Sequence, residues 1–440
     1  MRRQVTIIER IDWITVGILA LLAFVGWINV SSATATAESV EWYSLAGKQG
    51  KQLMWLGICS LVAIAVLNIE GEFFIRTSLL YYLFTVLMLI AVLAVGKKVG
   101  GARAWFGVGT FGIQPSEFAK SGTALALAWL LSRSDGKLRD LPTRFKSLGL
   151  IALPVGLILL QPDAGTVLVF GGFIFPLYRE GLSGNVLIFV FSALVLSIAS
   201  ILTGASEVVY PVLGSGSGIY LLWAILAGLG GTAAALVVRN TVPRERARVR
   251  WIAWGSCAAS LAFSVGIHWG LESVLQPHQR ERIHVLFGLD VGNPDADYNI
   301  RHAKAAIGSG GWVGKGYMQG PMTAYEFVPE QETDFIFCTI GEEWGFLGSS
   351  VVVLLFWGLL IRLIQIAERQ RSHFTRIYAY SVASILFMHF LINIGMVLGL
   401  APVIGIPLPL FSYGGSSVLG FTVLVFILLR LDAERFTVLR

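Results

Sequence analysis

Charge is what this chain has little of. Asp, Glu, Lys and Arg make up 14% of its 440 residues, against roughly a quarter in an average soluble domain, while hydrophobic residues reach 55%. That leaves too little polar surface to cover a soluble globule of this length, so most of the chain is expected to face lipid. Cysteine is scarce as well. Cys59, Cys257 and Cys338 all lie in apolar stretches without CxxC spacing, which argues against a disulfide framework or a thiolate zinc site and for buried small hydrophobes. No run of His or carboxylates has clear ligand spacing, so no metal site is read from the sequence. The net charge of +6 and pI near 9.2 do not point to nucleic acid, because the Lys and Arg residues sit in short runs between apolar segments and read as topology signals.

What is abundant is long apolar sequence. Twelve candidate spans lie near 12 to 30, 51 to 68, 77 to 96, 116 to 132, 147 to 160, 164 to 178, 185 to 203, 218 to 238, 250 to 271, 334 to 361, 377 to 400 and 413 to 430. The expected architecture is an all-α polytopic membrane protein, one integral domain over 1–440. A single polar, motif-dense extracytoplasmic loop, 272–333, interrupts it. SSATATAES after the first span resembles a signal-peptidase site, but the apolar core of about 19 residues is longer than a signal h-region and is read as a true span.

The basic residues set an orientation. With Arg2, Arg3 and Arg10 inside, the inner loops carry Arg133, Lys137, Arg139, Arg144 and Lys146, then Arg239 to Arg250, then Arg362 to Arg376, and both termini are cytoplasmic. Two outer segments break the pattern, GKKVGGARAWF and the long loop. Cations kept on the disfavoured side suggest an anionic ligand, with local acids or lipid headgroups as the plainer alternative.

An unpaired charge at the bilayer centre costs several kcal/mol and persists only with a partner or a polar cavity. Four clusters qualify. GARAWFGVGTFGIQPSEFAK holds Arg103, Glu117 and Lys120, and QPDAGT holds Asp163 in a tight turn, where capping the turn competes with substrate contact. TDFIFCTIGEEWG holds Asp334, Glu342 and Glu343. On a continuous helix, Asp334 and Glu342 would lie about 80° apart and roughly 12 Å along the axis, compatible with one polar cavity; a structural network is the competing reading for the glutamates. NIGMVLGLAPVIGIPLPLFSYGGSS, with Ser412 and Tyr413, breaks its helix with Pro and Gly, which is tolerated at this depth where backbone is buried or lines a cavity. Trp105 and Tyr413 read as interfacial anchors, the commoner case, ahead of sugar-stacking platforms, and His268 and His389 read as satisfied core residues.

These motifs together resemble the SEDS family, the RodA, FtsW and SpoVE proteins of bacterial wall synthesis. The resemblance rests on GARAWF with QPSEFAK, QPDAGT, HQRERI, YNI followed by AIGSGG, GKGY, FVPEQETDFIF with GEEWGFLGS, and NIGMV with GIPLPLFSYGGSS. The motifs run in order from the first span to the last. AIGSGG with GKG is closer to the RodA branch, with an FtsW-like division role as the alternative. The resemblance implies a glycosyltransferase of the bacterial cytoplasmic membrane that polymerises lipid II into β-1,4 glycan strands at the outer face during elongation. It implies as partners a class B penicillin-binding protein and elongation-complex membrane proteins. It also implies a ten-helix core, so that 204–271 is an extra two-helix insertion. Such chemistry needs a carboxylate base for the acceptor 4-hydroxyl and cations for the leaving pyrophosphate. The cation candidates are Arg103, Lys120, Arg280, Arg282 and Lys304. The other substrate-binding candidates are Glu117, Asp163, Glu330, Asp334, Glu342, Ser412 and Tyr413. A divalent cation on the pyrophosphate stays open.

The base is where the chain departs from the family pattern. Members commonly carry Asp-Pro in the loop, and ungapped counting lands on Gly292. Asp297, Asp290 and Asp295 surround it and are the candidates. Glu332, where the family often has His, is a second departure. A lipid-linked precursor flippase or transporter, a wall-synthesis scaffold and, more weakly, an intramembrane aspartyl protease are the rival classes.

Overall fold

The computed structural model describes residues 7–34, 43–45, 47–99, 102–108, 111–133, 138, 140–205, 207–210, 214–273 and 298–435. Helices dominate: α1 Ile7–Arg10, α2 Trp13–Ala33, α3 Lys48–Asn68, α4 Gly71–Val95, α5 Pro115–Arg133, α6 Leu141–Leu159, α7 Ala164–Phe170, α8 Ile174–Arg179, α9 Gly184–Ala205, α10 Ile219–Asn240, α11 Arg246–Ser273, α12 Tyr298–Ser309, α13 Pro321–Ala324, α14 Ile336–Glu368, α15 His373–Val397 and α16 Gly415–Ala433. Among the described residues nine of these are long and apolar enough to cross a membrane. Apolar sequence becomes helix because a helix bonds its own backbone internally where no water can.

Three expected spans depart from a plain apolar helix, each for a chemical reason. The stretch at 164–178 is α7, a 3₁₀ turn Gly171–Phe173 and α8 in succession, too short in any one piece to span. α11 opens on Arg246, Arg248 and Arg250. α5 is the least apolar, because it carries Glu117, Lys120 and several small polar residues, yet it is buried along most of its length. Its Ala119, Ser121, Gly122, Ala124 and Ala126 let α4, α6, α15 and α16 approach closely. At Gly122 a Cβ would stand 2.6 Å from the Thr85 hydroxyl.

The chain divides into two compact units, 1–182 with 299–440, and 183–298. In the first, α5 packs centrally, α16 lies on α3 and α5, and α14 lies on α2 and α15. Fully buried Phe170, Phe173, Phe356, Tyr378 and Phe421 fill its core. Between α4 and α5 runs a small antiparallel sheet, β1 Lys97–Val99, β2 Ala102–Val108 and β3 Phe111–Ile113, with Phe106 opposite Ile113. The second unit comprises α9, α10, α11 and a hairpin, β4 Glu207–Tyr210 with β5 Gly214–Ser217. Ser264 joins its helices by accepting from Trp223 Nε1 at 3.1 Å and contacting the Ser200 hydroxyl at 2.7 Å. The expected insertion 204–271 falls within this unit, together with the helix before it.

α14 is broken at Gly345, whose φ of +64° and ψ of −158° suit glycine. The break is filled by the segment 310–316. Phe346 N–H and Leu347 N–H donate to the Gly311 and Trp312 carbonyls at 2.9 and 3.1 Å, while Lys315 N–H and Gly316 N–H donate to the Glu342 and Glu343 carbonyls at 3.0 and 2.9 Å. The last two glycines of AIGSGG and the whole of GKG therefore lie in the plug of a helix break. A Cβ at Gly314 would come within 2.1 Å of the Glu343 carbonyl oxygen.

Candidate active site

The site is built on a second break, between the end of α15 at Val397 and the start of α16 at Gly415. Prolines 402, 407 and 409 deny this segment a helix, and Gly399, Gly405 and Gly414 turn it with positive φ. Its exposed backbone groups are met by side chains. Asn393 donates from Nδ2 to the Ile406 carbonyl at 2.7 Å and to the Asp334 carbonyl at 2.8 Å. Leu408 N–H donates to Ser412 Oγ at 2.8 Å. Gln52 donates to the Ser412 carbonyl and accepts from Gly414 N–H, both at 3.3 Å. Tyr413 N–H donates to the Glu332 carbonyl at 2.9 Å.

Carboxylates gather around this segment. Asp163 caps α7, accepting from Thr166 N–H at 3.0 Å and Thr166 Oγ1 at 2.7 Å, and its second oxygen also accepts from Gln114 Nε2 at 3.0 Å. Gln114 N–H in turn donates to Ser416 Oγ at 2.8 Å, which ties the start of α5 to the start of α16. A Cβ on Gly165, next along α7, would stand 3.2 Å from the Ile404 carbonyl. Glu332 pairs with Lys48 at the head of α3. Asp334 lies beside Gly405, where a Cβ would be 3.1 Å from its Oδ2. Burial, then the charges of Glu330, Glu332 and Asp163, push the Asp334 carboxyl up to about 7. Burial also raises the Tyr413 phenol above its ordinary value. Glu330, exposed and at φ +54°, accepts from Thr333 Oγ1 at 3.3 Å.

The expectation that Asp334 and Glu342 share a cavity on one helix is corrected. Residues 330–335 are turns and α14 begins at Ile336, so helical spacing does not apply between them. Asp334 faces the 401–414 segment, whereas Glu342, fully buried, is held elsewhere. One Glu342 oxygen accepts from Lys315 Nζ at 2.8 Å and Met322 N–H at 3.0 Å, the other from Thr323 N–H at 2.8 Å and Thr323 Oγ1 at 2.7 Å. Glu343 binds Ser32 and accepts from Met318 N–H at 3.2 Å. Glu342 thus fastens Lys315 of the plug and the start of α13 to α14, while Glu343 ties Ser32 and Met318 to it.

Glu117 and Lys120 are buried one turn into α5, with 4% and 1% of their surfaces exposed. They form a 2.9 Å ion pair, and Lys120 Nζ lies 2.8 Å from His389 Nε2. Lys304 stands exposed on α12 against Gly399, where a Cβ would be 2.5 Å from its Nζ. Arg103, on β2, is exposed and donates to the Leu93 carbonyl at 3.4 Å. Asp290, Asp295, Asp297, Arg280 and Arg282 lie outside the described residues. Among those described, no three His, Cys, Asp or Glu side chains are grouped to hold a metal ion. Sequence reasoning assigned no role to Lys48, Gln52, Gln114 or Asn393, although the QPSEFAK and NIGMV motifs already contained the last two.

Fold and site define a multi-pass membrane protein with an acidic polar site assembled on interrupted helices. The chain belongs to the FtsW, RodA and SpoVE family: the family model described as "Cell cycle protein" matches residues 12–211 and 221–436. It is 31% identical over 435 residues to the peptidoglycan glycosyltransferase RodA of Treponema pallidum, covering 96% of this chain and 98% of that one. It is likewise 31% identical over 343 residues to the peptidoglycan glycosyltransferase MrdB of Escherichia coli strain K12, covering 77% and 73%. Among solved structures, the fold resembles a chain from work on structural coordination of polymerization and crosslinking by a peptidoglycan synthase complex, with TM-score 0.66, 24% identity and 97% and 99% coverage. It also resembles the rod shape determining protein RodA of Thermus thermophilus, with TM-score 0.60, 24% identity and 97% and 98% coverage.

Proposed function

We propose that this chain, a peptidoglycan glycosyltransferase by its family and relatives, joins lipid II units into β-1,4 glycan strands at the outer face of the bacterial cytoplasmic membrane, in the service of cell elongation. The observation that carries the reading is that Gln52, Glu332, Asp334 and Asn393, drawn from distant parts of the sequence, meet one segment of broken helix, with Lys48 paired to Glu332 and Asp163 near enough to act on the charge of Asp334. A polar wall of this kind beside lipid-facing helices suits a substrate with a sugar–pyrophosphate head and an apolar tail.

In this reading a loop aspartate, Asp297 or Asp290 before Asp295, takes the proton from the acceptor 4-hydroxyl as it attacks the donor's anomeric carbon. The C–O bond to pyrophosphate breaks and undecaprenyl pyrophosphate leaves. Lys304, Arg103, Arg280, Arg282 and Lys48 supply positive charge for that leaving group. Asp163, Glu330, Asp334, Ser412 and Tyr413 offer acceptors and donors to the sugars and peptide. Glu117, Lys120 and Glu342, expected from the sequence to touch substrate, act from behind this wall. A class B penicillin-binding protein and elongation-complex membrane proteins are the partners, and both termini are cytoplasmic.

The test is glycan-strand formation from lipid II by the purified protein, alone and with a cognate transpeptidase, together with Asp290→Asn, Asp295→Asn and Asp297→Asn. One substitution should abolish polymer while folding and lipid II binding persist. Wild type that binds lipid II yet makes no polymer in either pairing would overturn the polymerase in favour of a flippase of lipid-linked precursors.

A further inference from the structure

Several deeply buried ionisable groups of the first unit are left unused by the proposed chemistry. Glu117 and Lys120 on α5 and His389 on α15 are all at least nine-tenths buried. They form a chain: Glu117 Oε2 accepts from Lys120 Nζ at 2.9 Å, Lys120 Nζ lies 2.8 Å from His389 Nε2, and His389 Nδ1 lies 3.3 Å from the Pro407 carbonyl oxygen. An ammonium has only protons to give, so Nε2 must accept, which places the imidazole hydrogen on Nδ1, pointing at Pro407. Phe421 closes the other side, its ring centre 4.8 Å from Lys120 Nζ and 4.8 Å edge-to-face from the imidazole. Gly420 stands against Glu117, where a Cβ would come within 3.0 Å of the Glu117 Cβ.

Pro407 sits in the middle of the segment whose neighbours Gly405 and Ile406 meet Asp334 and Asn393. The chain of bonds thus runs from a buried ion pair to the backbone beneath the site's carboxylate. We propose that His389 is a positioning residue: with its tautomer set by Lys120, it holds the 401–414 segment, and through it Asp334, in working register without itself meeting substrate. The apolar packing of α5, α15 and α16 does not need an imidazole there. A buried histidine whose two nitrogens both find partners on different elements transmits position as well as filling space.

The proposal rests on the polymerase reading only for its activity arm. The experiment compares wild type with His389→Leu and His389→Gln, whose amide can both accept from Lys120 and donate to Pro407. It also includes the double variant Glu117→Gln with Lys120→Met, which removes the ion pair without leaving one charge alone. Backbone hydrogen exchange and glycan-strand formation are read on each full-length protein in detergent. Faster exchange by tenfold or more in 398–414, with other helices unchanged, is expected for His389→Leu and for the double variant. A tenfold or greater fall in kcat should accompany it, and His389→Gln should restore both. Unchanged exchange in 398–414 for His389→Leu overturns the proposal. So does loosening spread over all spans, or failure of the glutamine to restore the segment. If wild type makes no polymer, the functional reading fails while the exchange comparison still decides this one.

Discussion

Two helix breaks in this protein are solved in opposite ways. At Gly345 the backbone of 310–316 enters the gap, backbone bonds close it, and buried Glu342 fastens the plug to α14. At 398–414 local backbone turns close part of the break, and the rest is met by side chains, Gln52 of α3, Asn393 of α15 and Ser412 of the segment itself, with Asp334 beside it. The first closure pairs the backbone of the break with the backbone of the plug, beside a cavity lined by Gly311, Gly345 and Phe346. The second leaves Asp334 and its neighbours available, and side chains can shift where a backbone-to-backbone ladder cannot. This chain therefore carries two helix interruptions that are closed by different chemistry.

The sharpest contrast comes from the glycines of the plug. Gly314→Ala, at φ +85° and with a Cβ 2.1 Å from a carbonyl oxygen, should cost on the order of 3 kcal/mol in strain and displaced backbone and show as lost folded protein in thermal unfolding. Asn393→Leu comes next. It should leave the bundle folded at a cost of about 1–3 kcal/mol for the freed carbonyls, yet lower the polymerisation rate per folded molecule tenfold or more. Glu342→Gln should weaken the plug by a similar 1–3 kcal/mol and hardly change that rate, since its bonds serve packing. Lys48→Met should change stability by less than about 1 kcal/mol, because the Lys48 side chain is half exposed, and its effect should appear in KM for lipid II.

A further effect is in pH. Asp334 has its folded-state value raised to about 7, above the ordinary value near 4, so between those limits the unfolded chain gives up its proton more readily. Its contribution to stability is full below about pH 4 and is lost as the pH rises towards 7. Asp334→Asn should therefore gain melting temperature relative to wild type on going from pH 5 to pH 8; equal slopes would remove the acidic cluster as the cause.

Much of the helical layout was legible because apolar length is a local property. α4 and α15 announce themselves by run length alone. α5 was found in spite of its charges, but its burial was not legible, since nothing local says that Lys120 faces His389, 269 residues away. Asp334 was misplaced because the helix start at Ile336 is set by the turns of 330–335, and an apolar window does not mark that boundary. The plug was visible only as glycine motifs; that they fill a break in α14 depends on a contact between separated segments. Asn393 opens the NIGMV motif, yet its bonds to the Asp334 and Ile406 carbonyls are tertiary. His389 was read as a satisfied core residue, and both its nitrogens do find partners, but the identity of those partners makes it more than filler.

The most direct measurement is the initial rate of glycan-strand formation from lipid II, per folded molecule, for Asn393→Leu beside Glu342→Gln. The account predicts a tenfold or greater loss for the asparagine variant and a rate within about twofold of wild type for the glutamate variant. Equal losses, or the larger loss at Glu342, would contradict the division into a structural break and a working one.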